Sequence, residues 1–325
     1  MNNPFETEER QAFRESIRSF VANEITPFAD DWDEAGEIPW PLHEKVGALG
    51  VFGFGVDEQY GGLGFDDCFM RAAYSEEMAR CGATGVSAAL GGRSISIGPI
   101  ATLANDDIRN HCLPEIIAGR RSSALAITEP GGGSDVASLK TTAVRDGDHY
   151  VLNGSKTFIT SGMTSDYFVV GARTGGPGIT GVSLFFVEAD SEGFSRTPLT
   201  RKMGWWASDQ ATLYFDNCRV PVRNLMGAEN KGFLAIMNNF NYERLSMVAG
   251  MLGMMKVCFD ESVAWARERE TFGNPLITHQ VIRHKLADMS ARIDMIEAYL
   301  NQICFAANEG EMPVAQISKA KFSAS

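Results

Sequence analysis

Absences narrow the class of this 325-residue chain first. No apolar run approaches the ~20 residues that cross a bilayer. The start, MNNPFETEERQAFRESIRSF, is charged where a secretory leader would have an apolar core, and acidic where a mitochondrial transit peptide would be Arg-rich. The expectation is a cytoplasmic bacterial protein, with a processed mitochondrial matrix form less favoured. Positive charge is scarce: 29 Lys and Arg stand against 41 Asp and Glu, a formal net charge of -12. That balance disfavours nucleic acid and anionic membrane as partners, although a local basic patch can still hold an anionic ligand. Six cysteines, Cys68, Cys81, Cys112, Cys218, Cys258 and Cys304, form no C-x-x-C pair and read as reduced, buried thiols rather than a disulfide framework. Five histidines include no H-x-x-x-H pair, and His279 and His284 would point to different helix faces, so no metal is expected. A dinucleotide fingerprint is missing too, because Gly131, Gly132 and Gly133 lack the G-x-G-x-x-G spacing.

What is present is an ordinary folded composition, 44% hydrophobic and 22% charged, in a chain long enough for two or three domains. Three blocks follow from periodicity. From residue 1 to about 121, helical spacings such as Phe13, Ile17, Phe20 and Val21 recur between Pro and Gly breakers. From 122 to about 231, short alternating runs, His149–Leu152, Tyr167–Ala172, Gly181–Glu188 and Ala211–Asp216, are separated by turn signals and read as an antiparallel β domain. From 232 to 325, helical spacing resumes over about Phe233–Glu270 and Gln280–Ala307, broken by Gly273-Asn274-Pro275. The fold class is α+β, with a helical N-terminal domain, a central β domain and a C-terminal helical bundle.

The most informative stretch is Ala124–Gly162, ALAITEPGGGSDVASLKTTAVRDGDHYVLNGSKTFITSG. Ala124–Thr128 is an apolar run that meets Pro130 and three glycines, so a strand must end there in a tight turn. Glycines let main chain approach a ligand without Cβ interference, and Thr128, Ser134 and Asp135 add oxygen groups beside them. Such a cradle suits a flat polar ring or a phosphate, although a Gly-rich turn by itself is more often only a turn. Asp146-Gly147 and Asn153-Gly154 read as hairpin turns.

TEPGGGSD, NGSKTFITSG, KMGWWASDQATLYFDNCRVP and RERETFGNPLITHQ, in that order, resemble the acyl-CoA dehydrogenase family over nearly the whole chain. The resemblance implies FAD as cofactor and α,β-dehydrogenation of an acyl-CoA thioester to the trans-2-enoyl-CoA, in fatty acid or branched-chain amino acid catabolism. A carboxylate removes the α-proton while the β-hydrogen leaves as hydride to flavin N5. A dry pocket that raises the carboxylate's pKa, with hydrogen bonds to the thioester carbonyl, serves that step. Family members place the base late in the chain or on the long helix after the β domain. Only the second position exists here, and it is Glu243 in FNYERLSMVAG, where the Glu-Arg pair resembles isovaleryl-CoA and long-chain acyl-CoA dehydrogenases. Read alone, Glu243 and Arg244 would be a solvated helical pair.

Other roles are carried by the same resemblance. Leu125, Ile127, Thr128 and Ser134 match positions beside the isoalloxazine, Ser134 also beside the substrate, and Phe158, Ile159 and Thr160 match a flavin-stacking W-I-T segment. Phe158 departs from the commoner Trp but still offers a flat apolar wall; alone it would be a core-facing strand residue. Arg269, Thr271, Phe272 and Gln280 match residues reaching a partner subunit's flavin, which implies a homodimer or homotetramer. The Arg267–Glu270 run alone would be a solvated charged face. Asn241, Tyr242 and Arg244 are expected near the coenzyme A arm, and Leu90-Gly91-Gly92 near the floor of the acyl pocket. The implied electron acceptor is an electron-transfer flavoprotein.

Pro313–Ser325 is a helical pattern that stops without a Gly, Pro or polar tail and reads as cut mid-helix, where family members continue with further helices and a Gly-Gly segment. The alternatives are therefore a flavin- or acyl-CoA-binding chain of this fold without turnover, and, within enzymes, an acyl-CoA oxidase or flavin monooxygenase on the same scaffold.

Overall fold

The computed structural model describes residues 4–92 and 94–325. The chain is helical, then β, then helical. Helices α1 to α7 are Glu8–Phe20, Ala29–Ala35, Trp40–Ala48, Cys68–Met78, Thr84–Gly91, Ser94–Leu103 and Asp106–Ile117. Strands β1 to β8 are Ser123–Ala126, Thr142–Asp146, His149–Thr160, Tyr167–Arg173, Val182–Glu188, Phe194–Pro198, Gln210–Pro221 and Leu225–Met226. Helix α8, Gly232–Glu268, precedes the short hairpin β9 (Glu270–Thr271) and β10 (Asn274–Pro275), and α9 (Gln280–Asn308) and α10 (Val314–Ala324) follow. Two compact units emerge, one of residues 1–29, 67–83 and 241–325, the other of 30–66 and 84–240.

In the first unit, apolar residues on α4, α8, α9 and α10 share one core, among them Ala72, Leu245, Val248, Leu252, Leu300 and Ile317. Gly253 permits the tightest approach: a Cβ there would stand 2.3 Å from the carbonyl oxygen of Glu76 on α4. Beside this core lies an ion network. Glu77 is 1% exposed and accepts from Arg14 Nη1 at 2.9 Å and from Arg18 Nε and Nη2 at 2.9 and 2.8 Å. Glu76 pairs with Arg14 at 3.0 Å and Lys256 at 2.8 Å, and Lys256 also reaches Glu297 at 2.7 Å. Burial opposes ionisation of Glu77, but the Arg18 and Arg14 hydrogen bonds outweigh it and hold the carboxyl below the usual range.

The second unit is built on one sheet ordered β6-β7-β3-β2-β4-β5-β8, with β1 beside β4. Its ladders are antiparallel except that β1 runs parallel to β4 and β2 meets β4 in parallel at Thr142 and Arg173. Both faces of β4 and nearly all of β5 are buried, which matches their largely apolar sequences, interrupted in β5 by Ser183. Asp146 pairs with His149 across Gly147-Asp148, so the first expected hairpin forms, with Gly147 at φ 63.

The second expected hairpin does not. Asn153-Gly154 lies inside the continuous strand β3, at an irregularity in its pairing with β7. Gly154 is needed there for close approach: at φ 147 its missing Cβ would stand 2.6 Å from Thr141 Oγ1. A glycine inside a strand marked a bulge rather than a turn. One cysteine also departs from expectation, since Cys258 is exposed while the other five free thiols are buried.

Replacing Glu77 by Gln leaves the arginines without their buried anion and should lower unfolding free energy by about 3–5 kcal/mol. The depressed carboxyl stabilises the fold fully above the ordinary glutamate pKa, and that contribution fades as pH falls through the lowered folded value. Denaturant melts at neutral and acid pH check both statements: the wild-type advantage over Glu77→Gln should shrink on acidification.

Candidate functional site

The glycine-rich turn sits at the end of β1. Glu129 and Gly132 close it with reciprocal backbone hydrogen bonds of 3.1 and 3.0 Å. Gly131 and Gly132 are exposed, and a Cβ built on either would meet nothing within 4 Å, so main chain is open to a flat group on this side. At Gly133 a Cβ would stand 3.1 Å from Thr128 Cγ2, so only a glycine fits close there. Ser134 is exposed, and Asp135 is engaged by Ser138 Oγ at 2.5 Å.

One buried ion pair fastens this turn to the sheet, and no sequence motif had singled it out. Lys156, 0% exposed, donates to Glu129 Oε1 at 2.8 Å and to the carbonyl oxygen of Ile127 at 3.1 Å. Glu129 also accepts from the N–H groups of Lys140 and Thr141 at 2.6 and 2.8 Å. Burial opposes its ionisation, but Lys156 and these donors hold the carboxyl below the usual range. Burial pushes the Lys156 ammonium down to about 8, against the pull of Glu129, so the pair is ionised at neutral pH. The available signal was parity: Lys156 stands at the inward positions of β3 with Tyr150 and Leu152, where a charge requires a partner.

Two residues beyond Lys156, β3 breaks parity. Its pairing with β7 shifts between Lys156 and Ile159, and Phe158 takes φ 57, an outlier conformation for a bulky aromatic. Ile159 turns into the sheet's core, and the Phe158 ring stands 64% exposed. Strict alternation would have buried Phe158 on the side of Lys156, so the bulge is what presents the ring. Thr160 is half-buried at the strand's end, where the methyl of its side chain lies 2.9 Å from the Cβ position of Gly92. Leu125 is half-buried on β1 opposite Val169. Ile127 is buried and packs inward against Gly171, and its carbonyl is taken by Lys156. Leu90 is fully buried, whereas a Cβ on Gly91 would meet open space.

The first unit holds the remaining candidates. Glu243 is half-buried on α8, has no hydrogen bond among the described residues, and burial raises its pKa against the smaller opposing effect of Arg244. Asn241 is buried and accepts from Arg244 Nη1 at 3.2 Å, while Tyr242 is exposed. Arg269 follows α8 with an exposed side chain. Thr271 pairs with Asn274 across Phe272-Gly273, both at positive φ (52 and 75), which suits a two-residue hairpin turn. Phe272 is 96% exposed at its tip, Thr271 Oγ1 lies 3.1 Å from His279 Nε2, and exposed Gln280 opens α9. The structure thus gathers Thr128, Ser134, Phe158 and Thr160 in one unit, and Asn241, Glu243, Arg244, Arg269 and Phe272 in the other.

The chain matches three family models: "Acyl-CoA dehydrogenase, N-terminal domain" over residues 7–120, "middle domain" over 124–218 and "C-terminal domain" over 230–325. It is similar to the long-chain specific mitochondrial acyl-CoA dehydrogenase of Rattus norvegicus, at 35% identity over 98% of this chain and 74% of that protein. An acyl-CoA dehydrogenase of Bacillus subtilis is 37% identical over 89% of this chain and 76% of its own length. Among solved structures, a probable acyl-CoA dehydrogenase from Mycobacterium abscessus superposes with a TM-score of 0.94 at 43% identity, covering 98% of this chain and 85% of that one.

Removing one partner of the buried pair should cost more than removing both charges. Lys156→Met is expected to destabilise the fold by about 3–5 kcal/mol, and Lys156→Met with Glu129→Gln by clearly less, because no uncompensated charge stays buried. Equilibrium unfolding of the single and double variants checks this; additive losses would contradict it.

Proposed function

The chain belongs to the acyl-CoA dehydrogenase family of FAD-dependent oxidoreductases, and on that premise we propose that it converts a branched-chain or long-chain acyl-CoA to the trans-2-enoyl-CoA with Glu243 as general base. The observation that carries this reading is the state of Glu243: half-buried, unpaired among the described residues, and raised in pKa by burial. A carboxylate in that condition is a stronger base than a solvated one and can take a proton from a weak carbon acid. Its place on the helix after the β block, followed by Arg244, supports a branched-chain or long-chain type. Similarity to the long-chain specific enzyme agrees.

FAD, when bound, supplies the acceptor for the β-hydrogen. The open main chain at Gly131 and Gly132, the exposed Phe158 ring and the Thr128 and Ser134 hydroxyls fit a flat polar ring system. Leu125 and Thr160 flank that surface, and Ile127 and Ile159 bury their side chains. Exposed Arg269, with Thr271, Phe272 and Gln280, suits phosphate and ring contacts to the flavin of a second copy, the guanidinium gripping phosphate oxygens in pairs. Asn241, Tyr242 and Arg244 orient the coenzyme A arm. The same reading makes the assembly a homodimer or homotetramer, an electron-transfer flavoprotein the acceptor and the cytoplasm the compartment. Blocks 1–121, 122–231 and 232–325 serve as its three domains.

Glu243→Gln removes the base and almost no volume. It should lower the rate of flavin reduction by acyl-CoA about 10²–10⁴-fold while leaving flavin content unchanged; stopped-flow spectra of the variant retaining near-normal rates would overturn the assignment. The base works only when deprotonated, so kcat/KM in the wild type should rise with pH through an apparent pKa above the ordinary 4.5. Arg269→Ala should weaken flavin retention through gel filtration, and an unchanged flavin-to-protein ratio would count against its phosphate contact.

A further inference from the structure

Helices α1, α4, α8 and α9 of the first unit frame a cavity of about 690 Å³, and none of Asn241, Glu243 and Arg244 lines it. Its α4 wall changes character along its length. Phe69, Ala72 and Glu76 recur at i, i+3 and i+7, and Arg80 follows on the single turn that continues the helix, about 16 Å from Phe69. Leu252 and Leu300 extend the apolar part. The facing wall is α1, where Arg14 and Arg18 stand one turn apart.

Four cations at this cavity, Arg14, Arg18, Arg80 and Lys256, share three carboxylates. Lys256 lies between Glu76 and Glu297, so the positive excess falls at the arginine end. There three guanidiniums converge on Glu77, Arg14 at 2.9 Å, Arg18 at 2.8 Å and Arg80 at 3.8 Å. The first two hydrogen-bond it, whereas exposed Arg80 makes no hydrogen bond among the described residues and Arg18 keeps Nη1 unspent. Other acids of α1 do not fill the gap: Glu15 accepts from Gln11 Nε2 at 3.2 Å, and Glu8 lies about 15 Å along the axis from Arg18.

Guanidinium forks with unused donors around a cavity, in a chain of net charge -12, select an oxyanion. A carboxylate fits one fork, while a phosphate, with up to two charges and three free oxygens, can serve two at once. We propose that this cavity binds a small organic phosphate, its phosphate held by Arg18 and Arg80 and its apolar body lying along α4 toward Ala72 and Leu252. The site goes beyond the acyl-CoA chemistry and stands whether or not Glu243 is the base.

The test is calorimetric titration of the full, flavin-loaded chain with phenyl phosphate and with inorganic phosphate at one fixed ionic strength. Phenyl phosphate should bind wild type saturably, one per chain, with a Kd below about 1 mM. Inorganic phosphate, which lacks the apolar body, should bind at least about fivefold more weakly. Arg80→Gln removes no hydrogen bond of the fold and should weaken phenyl phosphate binding by about tenfold or more. Binding of phenyl phosphate weaker than that limit in the wild type, a smaller loss in Arg80→Gln, or inorganic phosphate binding as tightly as the phenyl ester overturns the proposal. Flavin reduction by acyl-CoA plays no part in any of these readings, so they are independent of the outcome for Glu243→Gln.

Discussion

The Lys156–Glu129 pair is the constraint on which the candidate ligand face of the β unit depends. A fully buried ammonium on β3 must find a carboxylate, and the one it finds lies in the glycine-rich turn after β1. Glu129 in turn draws in the backbone N–H groups of Lys140 and Thr141, and Lys156 takes the carbonyl of Ile127. Turn, sheet entry and strand are thereby tied at one point, which leaves the glycines outside it to present bare main chain. Two residues along β3, the bulge rotates Phe158 out of the core. A ring at positive φ and a buried charge pair are both costly features placed side by side, a combination expected where structure is held for a ligand rather than for stability.

The helical unit shows two carboxylates shifted in opposite directions by their surroundings. Glu77 is almost wholly buried, yet Arg14 and Arg18 keep it ionised. Glu243 is less buried and has no such partner, so desolvation dominates and its proton affinity rises. The first ties α1 to α4, and the second is the one proposed as general base. Divergent environments for chemically identical groups are a recurring way for a protein to separate structural from catalytic acids.

Much of this was legible in the sequence because local rules and tertiary context agreed. The α8 and α9 boundaries, the Gly147 hairpin and the end of β1 at the glycine turn follow from periodicity and turn chemistry. Asn153-Gly154 misled because the same dipeptide serves a turn or a bulge, and only the tight approach of Thr141, thirteen residues before Gly154, selects the bulge. Phe158 posed a similar problem: alternation assigns it to the core, and a pairing shift that no local rule reveals turns it outward. Lys156 and Glu129 lay inside the motifs that were read, but their meeting is a long-range event. The family resemblance named positions; the fold shows which of them expose side chains and which, like Ile127 and Ile159, bury them.

The central claim is that this chain oxidises acyl thioesters at the α,β bond. Its most direct test is an anaerobic titration of the purified, flavin-loaded protein with isovaleryl-CoA and with a long-chain acyl-CoA, following the flavin's long-wavelength absorption band and the product by mass. Loss of the band with stoichiometric formation of the 2-enoyl-CoA from at least one thioester is the predicted result. A flavin band that stays unchanged through excess of both thioesters, with no enoyl product, would contradict the account.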